Sequence, residues 1–424
     1  MTDTIFALSS GQVPAAIGII RISGPEAAGA VEALAGSLPE PRKAVLRALR
    51  DADGAMLDRA LVLWFPGEAT ATGEPSAEFH CHGGRAVVAA VEAALEAIPG
   101  LRRAYPGEFT RRAFLNGRID LAQAEGLADL ISSETESQRL SAIAASGGQL
   151  SSRIDDWRNR VLTLGAQVEA VLDFSDEEDA EDLPAEFELE LTELQSEIAE
   201  WLARPGAERL RDGVRVVLGG PPNSGKSSLF NALLDEGAAI VSDIAGTTRD
   251  VIERPVALYG VPFVLVDTAG VRDGSDDAIE AVGIERAWSE FERADIVLWL
   301  GEAGKGPAGS IDVASKADLV DGSRDSSELS VSAVSGEGLS DLIEIVVGKA
   351  RSLLPKPGTA ALNRRQRAVL SDASEGLDTA AAATDPLIVG EGLRRARVAF
   401  DAFLGKASTE DMLDNLFGRF CIGK

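Results

Sequence analysis

A glycine-bearing loop, Gly220-Pro221-Pro222-Asn223-Ser224-Gly225-Lys226-Ser227, follows an apolar strand-like run, Val214 to Leu218, and opens a helix-like run, Ser228 to Leu234. No other stretch limits the fold so tightly. The pattern requires a strand, an inward turn of backbone N–H groups and a helix N-terminus in direct succession, which is the Walker A arrangement. Glycines let N–H groups curl around the phosphates of a nucleotide. Lys226 can neutralise terminal phosphate oxygens, and the Ser227 hydroxyl is a hard oxygen ligand suited to Mg²⁺. The helix that follows from Ser228 adds its positive N-terminal end.

The stretch from Val214 to about Leu353 alternates short apolar strands with helices. The strand candidates are Val214 to Leu218, Val256 to Leu258, Phe263 to Val266, Ile296 to Leu300 and Glu328 to Ser332. This alternation predicts a mostly parallel, doubly wound α/β sheet with phosphate sites at the carboxyl ends of its strands. Asp267-Thr268-Ala269-Gly270 closes one strand, where a metal-side carboxylate is expected, with a glycine N–H behind it for the γ-phosphate. Gly246-Thr247-Thr248-Arg249-Asp250 lies upstream, as a switch threonine should, and both segments are expected to order with triphosphate and relax after hydrolysis. In Ser315-Lys316-Ala317-Asp318, the Asp can accept from the N1–H and exocyclic amine of guanine, which adenine lacks. Ser332-Ala333, ending the next strand, completes that pocket.

On the amino-terminal side, residues 1 to about 118 read as mixed α and β. Ala16 to Ile22 and Leu61 to Phe65 are strands, with helices over Ala27 to Ala35 and Arg85 to Ile98. His80 and His82, the only histidines, flank Cys81. Such a trio invites a metal reading. On a strand, however, the two imidazoles share one face while the thiol points away, and no second ligand pair accompanies them. From Leu121 the pattern turns helical: Leu150, Ile154, Trp157, Val161, Leu164, Val168 and Val171 recur at steps of four and three, an apolar seam for a bundle. A further helix is expected over Ala185 to Leu202. After Pro355-Lys356-Pro357-Gly358 the chain is helical again, and the two helical segments can pack together.

With 424 residues the chain has room for two or three domains, and the boundaries fall at 1–118, 119–210, 211–353 and 354–424. Two cysteines, Cys81 and Cys421, are too few for a disulfide framework and point to a reducing cytoplasm. No leader and no apolar run of membrane-spanning length is read, so no membrane partner is expected. A net charge of −27 argues against nucleic acid as a partner, yet thirteen acidic residues without a single Lys or Arg fall between Asp173 and Trp201. Arg102, Arg103, Arg111, Arg112 and Arg118 form a basic cluster elsewhere, and Arg364, Arg365 and Arg367 another, so nucleic acid is allowed locally.

The motifs together resemble the MnmE (TrmE) family of tRNA-modification GTPases. The resemblance runs nearly end to end through Ile17 to Pro25, Glu78 to Gly84, Pro106 to Glu125, Asp173-Phe174, the phosphate loop, Gly246 to Asp250, Asp267 to Arg272, Gly283 to Ala287 and the tail Phe420-Cys421-Ile422-Gly423-Lys424. It implies a multi-domain α/β and α architecture: an N-terminal α+β folate-binding-type domain that dimerises, a discontinuous helical bundle domain, and an inserted P-loop GTPase domain. It further implies a Mg²⁺-dependent, K⁺-stimulated GTPase that works as a homodimer with an FAD-dependent MnmG-type partner, in a heterotetramer acting on carbon 5 of the tRNA wobble uridine. By motif position Ser227 and Thr248 would hold Mg²⁺. Asn223, Ser242, Ile244 through its carbonyl, and Thr247 would hold K⁺. Glu280 would orient the attacking water, although one additional residue separates it from Asp267 relative to the usual family spacing. Arg21, Glu78, Arg118 and Lys424 would contact 5-formyltetrahydrofolate: cations suit a glutamyl carboxylate, and a carboxylate suits the donor edge of a pterin. Cys421 is either close to the modification chemistry or an apolar thiol beside Phe420.

Two departures stand out. Ser315 replaces the Asn usual in this guanine motif, and Gly301 to Val313 lacks the long apolar strand usual before it; the expectation is retained guanine preference with reduced affinity. A regulatory GTP-binding module, such as a ribosome-assembly factor, explains residues 214 to 353 equally well but leaves the N-terminal blocks without a purpose. A folate-dependent aminomethyl-transfer enzyme with an accessory GTPase is the second rival.

Overall fold

The computed structural model describes residues 3–173, 183–239, 252–268, 288–319, 329–406, 410–418 and 420–424. They divide into two units, one built from residues 1–128 and 401–424 and the other from residues 129–400.

The first unit holds a six-stranded sheet in the order β3-β4-β5-β2-β1-β6, from β1 (Thr4–Leu8), β2 (Ile17–Ser23), β3 (Val45–Arg50), β4 (Met56–Phe65), β5 (Ser76–His82) and β6 (Leu101–Arg103). Its pairs are antiparallel except β1 with β6. Alternation decides the faces. Ile20 and Ile22 of β2, and Ala77, Phe79 and Cys81 of β5, enter a core with helices α1 (Ala27–Ala35) and α2 (Arg85–Glu96). The predicted strand over Leu61 to Phe65 begins earlier, at Met56. The opposite face carries Ile17, Ile19 and Arg21, with Glu78, His80 and His82 directly beside them. Ile5, Ala7, Ala104 and Phe109 cluster separately.

Helix α3 (Glu108–Leu115), helix α4 (Leu121–Ile131) and the helix Glu410–Phe417 follow. Leu121, Ala124, Leu413, Phe417 and Phe420 form their core, and the Phe417 ring lies 6.1 Å from those of Phe114 and Phe420. Gly107, at φ +69°, allows a close approach: a Cβ there would lie 2.2 Å from the Phe417 carbonyl oxygen.

The second unit begins with α5 (Glu136–Ser146), started by a reciprocal Thr135–Gln138 capping box. In α6 (Gln149–Asp173) the expected seam is buried from Leu150 to Val168, whereas Val171 is only half-buried. Trp157 is the largest fully buried side chain; its ring lies 6.3 Å from Phe400, and its Nε1 donates to Glu197 Oε2 at 2.8 Å. Glu197 lies on α7 (Ala185–Ala203), which packs on α6 and on Arg364–Ala382, so helical segments from both sides of the α/β region do meet. Gln195 Nε2 reaches Asp378 Oδ1 at 2.6 Å across that contact.

Between them lies a second sheet, ordered β12-β11-β7-β10-β9-β8: β7 (Val214–Gly219), β8 (Ala238–Ala239), β9 (Ile252–Leu258), β10 (Val261–Asp267), β11 (Ile296–Trp299) and β12 (Ile311–Asp312). β7, β10, β11 and β12 run parallel, and β8–β9 and β9–β10 are antiparallel. Tyr259 and Gly260, both at positive φ, make the tight β9–β10 hairpin turn, and the Ser137 N–H and hydroxyl of α5 both donate to the Gly260 carbonyl. Between Gly301 and Val313 only the short β12 forms. The chain then pairs β13 (Ala314–Ser315) with β14 (Ser330–Val331), a shorter strand than Glu328 to Ser332 suggests. Leu210 of α8 (Glu208–Asp212) and Leu229, Phe230 and Leu233 of α9 (Lys226–Glu236), with Leu342, Ile343 and Val346 of Leu339–Leu353, complete its core.

Candidate functional site

Strand β7 is central, with β10 on one side and β11 on the other, so the loop leaving its carboxyl end sits where three parallel strands terminate. Gly219 must be bare: a Cβ there would fall 2.7 Å from the Phe291 ring. Gly220 (φ +141°) and Gly225 (φ +95°) supply the turns, and Asn223 also adopts a left-handed backbone at φ +60°, which asparagine tolerates better than most residues. Helix α9 then starts at Lys226, putting its positive end at the loop. Buried Lys226 donates through Nζ to the carbonyls of Gly220 at 2.9 Å and Pro221 at 2.8 Å, which arches the ammonium over the loop. Ser227 and Ser228 are exposed on the first turn.

From β10, the nearly fully buried Asp267 accepts the Ser227 hydroxyl at 2.8 Å through Oδ2. Two hard oxygens thus meet beside the loop. Thr268 Oγ1 donates to the Leu218 carbonyl at 2.8 Å, fastening the end of β10 to β7.

The segment Ser315 to Asp318 is tied to the same loop. Ser315 Oγ donates to the Ser224 carbonyl at 2.5 Å, and Lys316, at φ +60°, donates through Nζ to the Asn223 carbonyl at 2.7 Å. Serine therefore still braces the phosphate loop. Asp318, in the short turn Ala317–Leu319, lies at the surface with Oδ1 held by the buried Ser332 hydroxyl at 2.6 Å; Ala333 follows in a turn whose Val334 and Ser335 N–H groups donate to Ser332 Oγ. The structure thus brings the loop, Asp267, Thr268, Ser315 to Asp318 and Ser332-Ala333 together. Ser242, Ile244, Thr247, Thr248, Ala269, Gly270 and Glu280 lie outside the described residues.

The first unit holds a second group. Arg21 and Glu78 are direct cross-strand partners, paired at 3.3 Å, and the other Glu78 oxygen meets His80 Nε2 at 3.0 Å. The Arg21 guanidinium lies 5.8 Å from the centre of the Phe109 ring. The Phe109 N–H donates to the Lys424 carbonyl at 3.1 Å, bringing the tail to the same helix end. Arg118 stands apart in contact terms: its stem lies against Gly73, where a Cβ would be 3.2 Å away. Cys421 is exposed, whereas Cys81 is buried and its thiol is pushed up to about 12 by that burial, with Asp58 adding to the effect. His82 Nδ1 pairs with Asp58 Oδ1 at 2.7 Å. The contacts of His80 with Glu78 and of Phe109 with Arg21 are not foreseen from the sequence; the available signal is the strand period, which puts His80 beside Glu78.

The arginine cluster is not the open basic surface that sequence allowed. Arg112 is fully buried and paired with Asp3 at 3.0 Å and with Glu74 and Glu108 at 3.1 Å each. Arg102 takes Asp3 and Glu108, Arg103 takes Glu92 and Glu96, and Arg111 takes Glu410 and Asp414. Carboxylates both near in sequence, Glu92, Glu96 and Glu108, and far from it, Asp3, Glu74, Glu410 and Asp414, neutralise charges that look like a patch in one dimension. Arg367 is likewise occupied with the Leu202 and Arg204 carbonyls. Among the described residues, no helix is long and apolar enough to cross a membrane.

Residues 4–118 match the family described as GTP-binding protein TrmE N-terminus, and residues 121–421 match the MnmE helical domain. The chain is 60% identical over 423 residues to the tRNA modification GTPase MnmE of Erythrobacter litoralis, covering 100% of both. It is 56% identical over 437 residues to that of Novosphingobium aromaticivorans, again with 100% of both covered. With the MnmE of Rhizorhabdus wittichii it shares 58% identity over 426 residues, covering 100% of this chain and 97% of the relative.

Proposed function

Since the chain belongs to the MnmE family of tRNA modification GTPases, we propose that it hydrolyses GTP in a complex that modifies carbon 5 of the tRNA wobble uridine, adding a carboxymethylaminomethyl or aminomethyl group. The observation that carries the GTPase half is the meeting of Ser227 and Asp267 beside a loop opening onto a helix N-terminus. Their paired oxygens fit Mg²⁺, which takes few protein ligands and keeps the rest for phosphates and water. In this reading Lys226 and Mg²⁺ offset phosphate charge, Asp318 selects guanine, and Thr248 and Glu280 complete the site. Asn223, with Ser242, Ile244 and Thr247, would hold K⁺; its left-handed backbone at the loop crest supports the assignment. Cations placed where charge develops on the transferring phosphoryl group supply electrostatic stabilisation.

The first unit is read as the tetrahydrofolate site. Arg21 pairs with Glu78 and lies over Phe109, whose N–H donates to the Lys424 carbonyl; a cation, a carboxylate and a second cation-bearing residue suit a pterin with a carboxylate tail; Arg118 and Cys421 belong to the same reading. A homodimer forming through residues 1–118 is supported by the open sheet face, where Ile17, Leu46 and Leu61 are 55%, 54% and 42% exposed. An FAD-dependent MnmG-type partner, tRNA and a cytoplasmic setting complete the proposal.

Hydrolysis measured in K⁺ and in Na⁺, for wild type and Asn223→Lys, tests the switch. The expected result is K⁺ stimulation that the variant loses, and indifference to the cation would refute it. Mass spectrometry of tRNA from a deletion strain tests the modification role; unchanged wobble uridines would favour a regulatory or ribosome-assembly GTPase.

A further inference from the structure

Ser315 sits where the base-reading segment meets the phosphate loop. Its hydroxyl donates to the Ser224 carbonyl at 2.5 Å, and it lies close against Gly225, where a Cβ would be 3.6 Å from Ser315 Oγ. Lys316, the neighbouring donor, is directed at the Asn223 carbonyl. A serine hydroxyl has one proton to donate and otherwise offers only lone pairs. That proton is committed to the loop backbone.

The two edges of guanine make opposite demands. The Watson–Crick edge presents N–H donors, which a carboxylate accepts; the opposite edge presents N7 and O6, which are acceptors. A residue reading N7 must therefore donate. With its proton given to Ser224, Ser315 has only lone pairs left to face an acceptor. An asparagine in this position carries two N–H donors on one nitrogen and can serve the loop and the base together.

We infer that Ser315 is a positioning residue that braces the phosphate loop, and that this chain selects its base through the Watson–Crick edge at Asp318 while leaving N7 unread. The inference rests on the reading of Asp318 as the guanine acceptor. The Ser332 bond to Asp318 Oδ1 favours that reading by fixing the carboxylate at the pocket end of β14. Recognition then depends on one carboxylate and its serine support, not on donors at both edges.

Calorimetric titration of the full chain with GDP, with 7-deaza-GDP, in which N7 becomes a C–H, and with IDP, which lacks the exocyclic amine, tests this. The expected result is that 7-deaza-GDP binds wild type within about twofold of GDP, and IDP about tenfold or more weakly, the range for a hydrogen bond to a charged group. Ser315→Asn should then prefer GDP over 7-deaza-GDP by about fivefold, as for one neutral hydrogen bond. Ser315→Ala should weaken both ligands by the same factor, because it removes a brace and no base contact. A wild-type preference for GDP over 7-deaza-GDP of about fivefold or more overturns the inference, and that comparison needs no variant to fold. Equal binding of GDP and IDP overturns the reading of Asp318 instead, so the two failures are told apart.

Discussion

Ser227 Oγ donates to Asp267 Oδ2 at 2.8 Å, tying the first turn of the helix that leaves the phosphate loop to the end of the neighbouring parallel strand. Asp267 is 2% exposed, so its carboxylate is held by the fold before any ligand arrives. Ser227→Ala removes the hydroxyl without disturbing the helix, and Asp267→Asn removes the charge while keeping the shape. Each should lower GTP turnover by about 10–100-fold and raise the Mg²⁺ concentration needed for half-maximal activity, as loss of a metal-supporting oxygen does elsewhere. A Mg²⁺ titration of hydrolysis checks this; an unchanged Mg²⁺ midpoint in both variants would place the metal elsewhere.

Arg112 is buried completely among three carboxylates. Removing one member of such a set leaves uncompensated buried charge, so Arg112→Ala should cost about 3–5 kcal/mol of stability. Urea unfolding of the intact chain, followed by the signal of the first unit, measures it. A loss under about 1 kcal/mol would mean that Glu74 and Glu108 find water when the guanidinium is gone.

The same cluster predicts an acid limit. Burial by itself pushes the Glu108 carboxyl up, but bonds from Arg102, the Tyr105 N–H and Arg112 outweigh it and hold the group below its ordinary 4.5. A depressed folded value means that the stabilisation is present above about pH 4.5 and is lost as pH falls through the folded value. Asp3 is held low in the same direction by Arg102 and Arg112 against its own desolvation. Unfolding free energy should therefore fall below about pH 4.5, with a shallower slope in Glu108→Gln. Parallel slopes would remove Glu108 from the account.

Two helices of the second unit, Arg364–Ala382 and Pro386–Phe403, cross at glycines. A Cβ on Gly376 would lie 2.8 Å from the Gly392 carbonyl oxygen, and one on Gly392 would lie 2.6 Å from that of Gly376. Backbone meets backbone, so no side chain can move aside. Either glycine changed to Ala should cost about 1–3 kcal/mol by overpacking, despite the better helix propensity of Ala. Thermal unfolding decides: a stabilised Gly376→Ala protein would show that the helices separate freely.

Much of this was legible in one dimension. The phosphate loop, the α6 seam and the opposed faces of His80 and Cys81 follow from spacing, because local periodicity reports which side chains are buried. Spacing does not report partners. Glu108 is four residues from Arg112, but Arg112 and Asp3 are 109 residues apart and Arg111 and Asp414 are 303 apart, so only part of the pairing that neutralises the arginine cluster had a local signature. Ser315 stands out in the sequence only as a departure from the usual Asn, whereas in the fold its short hydroxyl reaches Ser224. The Gly376–Gly392 crossing needed the fold itself, since an isolated glycine in a helix reads only as weak propensity.

The first unit combines residues 1–128 with residues 401–424, and the 272 residues of the other unit come between them in the chain. During synthesis, which proceeds from the amino terminus, the first sheet leaves the ribosome early but Phe417 and Phe420 leave it late. Until then Leu121 and Ala124, which those rings cover, stay without their partners, and Gly107 faces no Phe417 carbonyl. The second unit is continuous and suffers no such delay. The part of the molecule translated first is thus completed last, and the apolar seam of Leu121 and Ala124 waits on Phe417 and Phe420 for its cover.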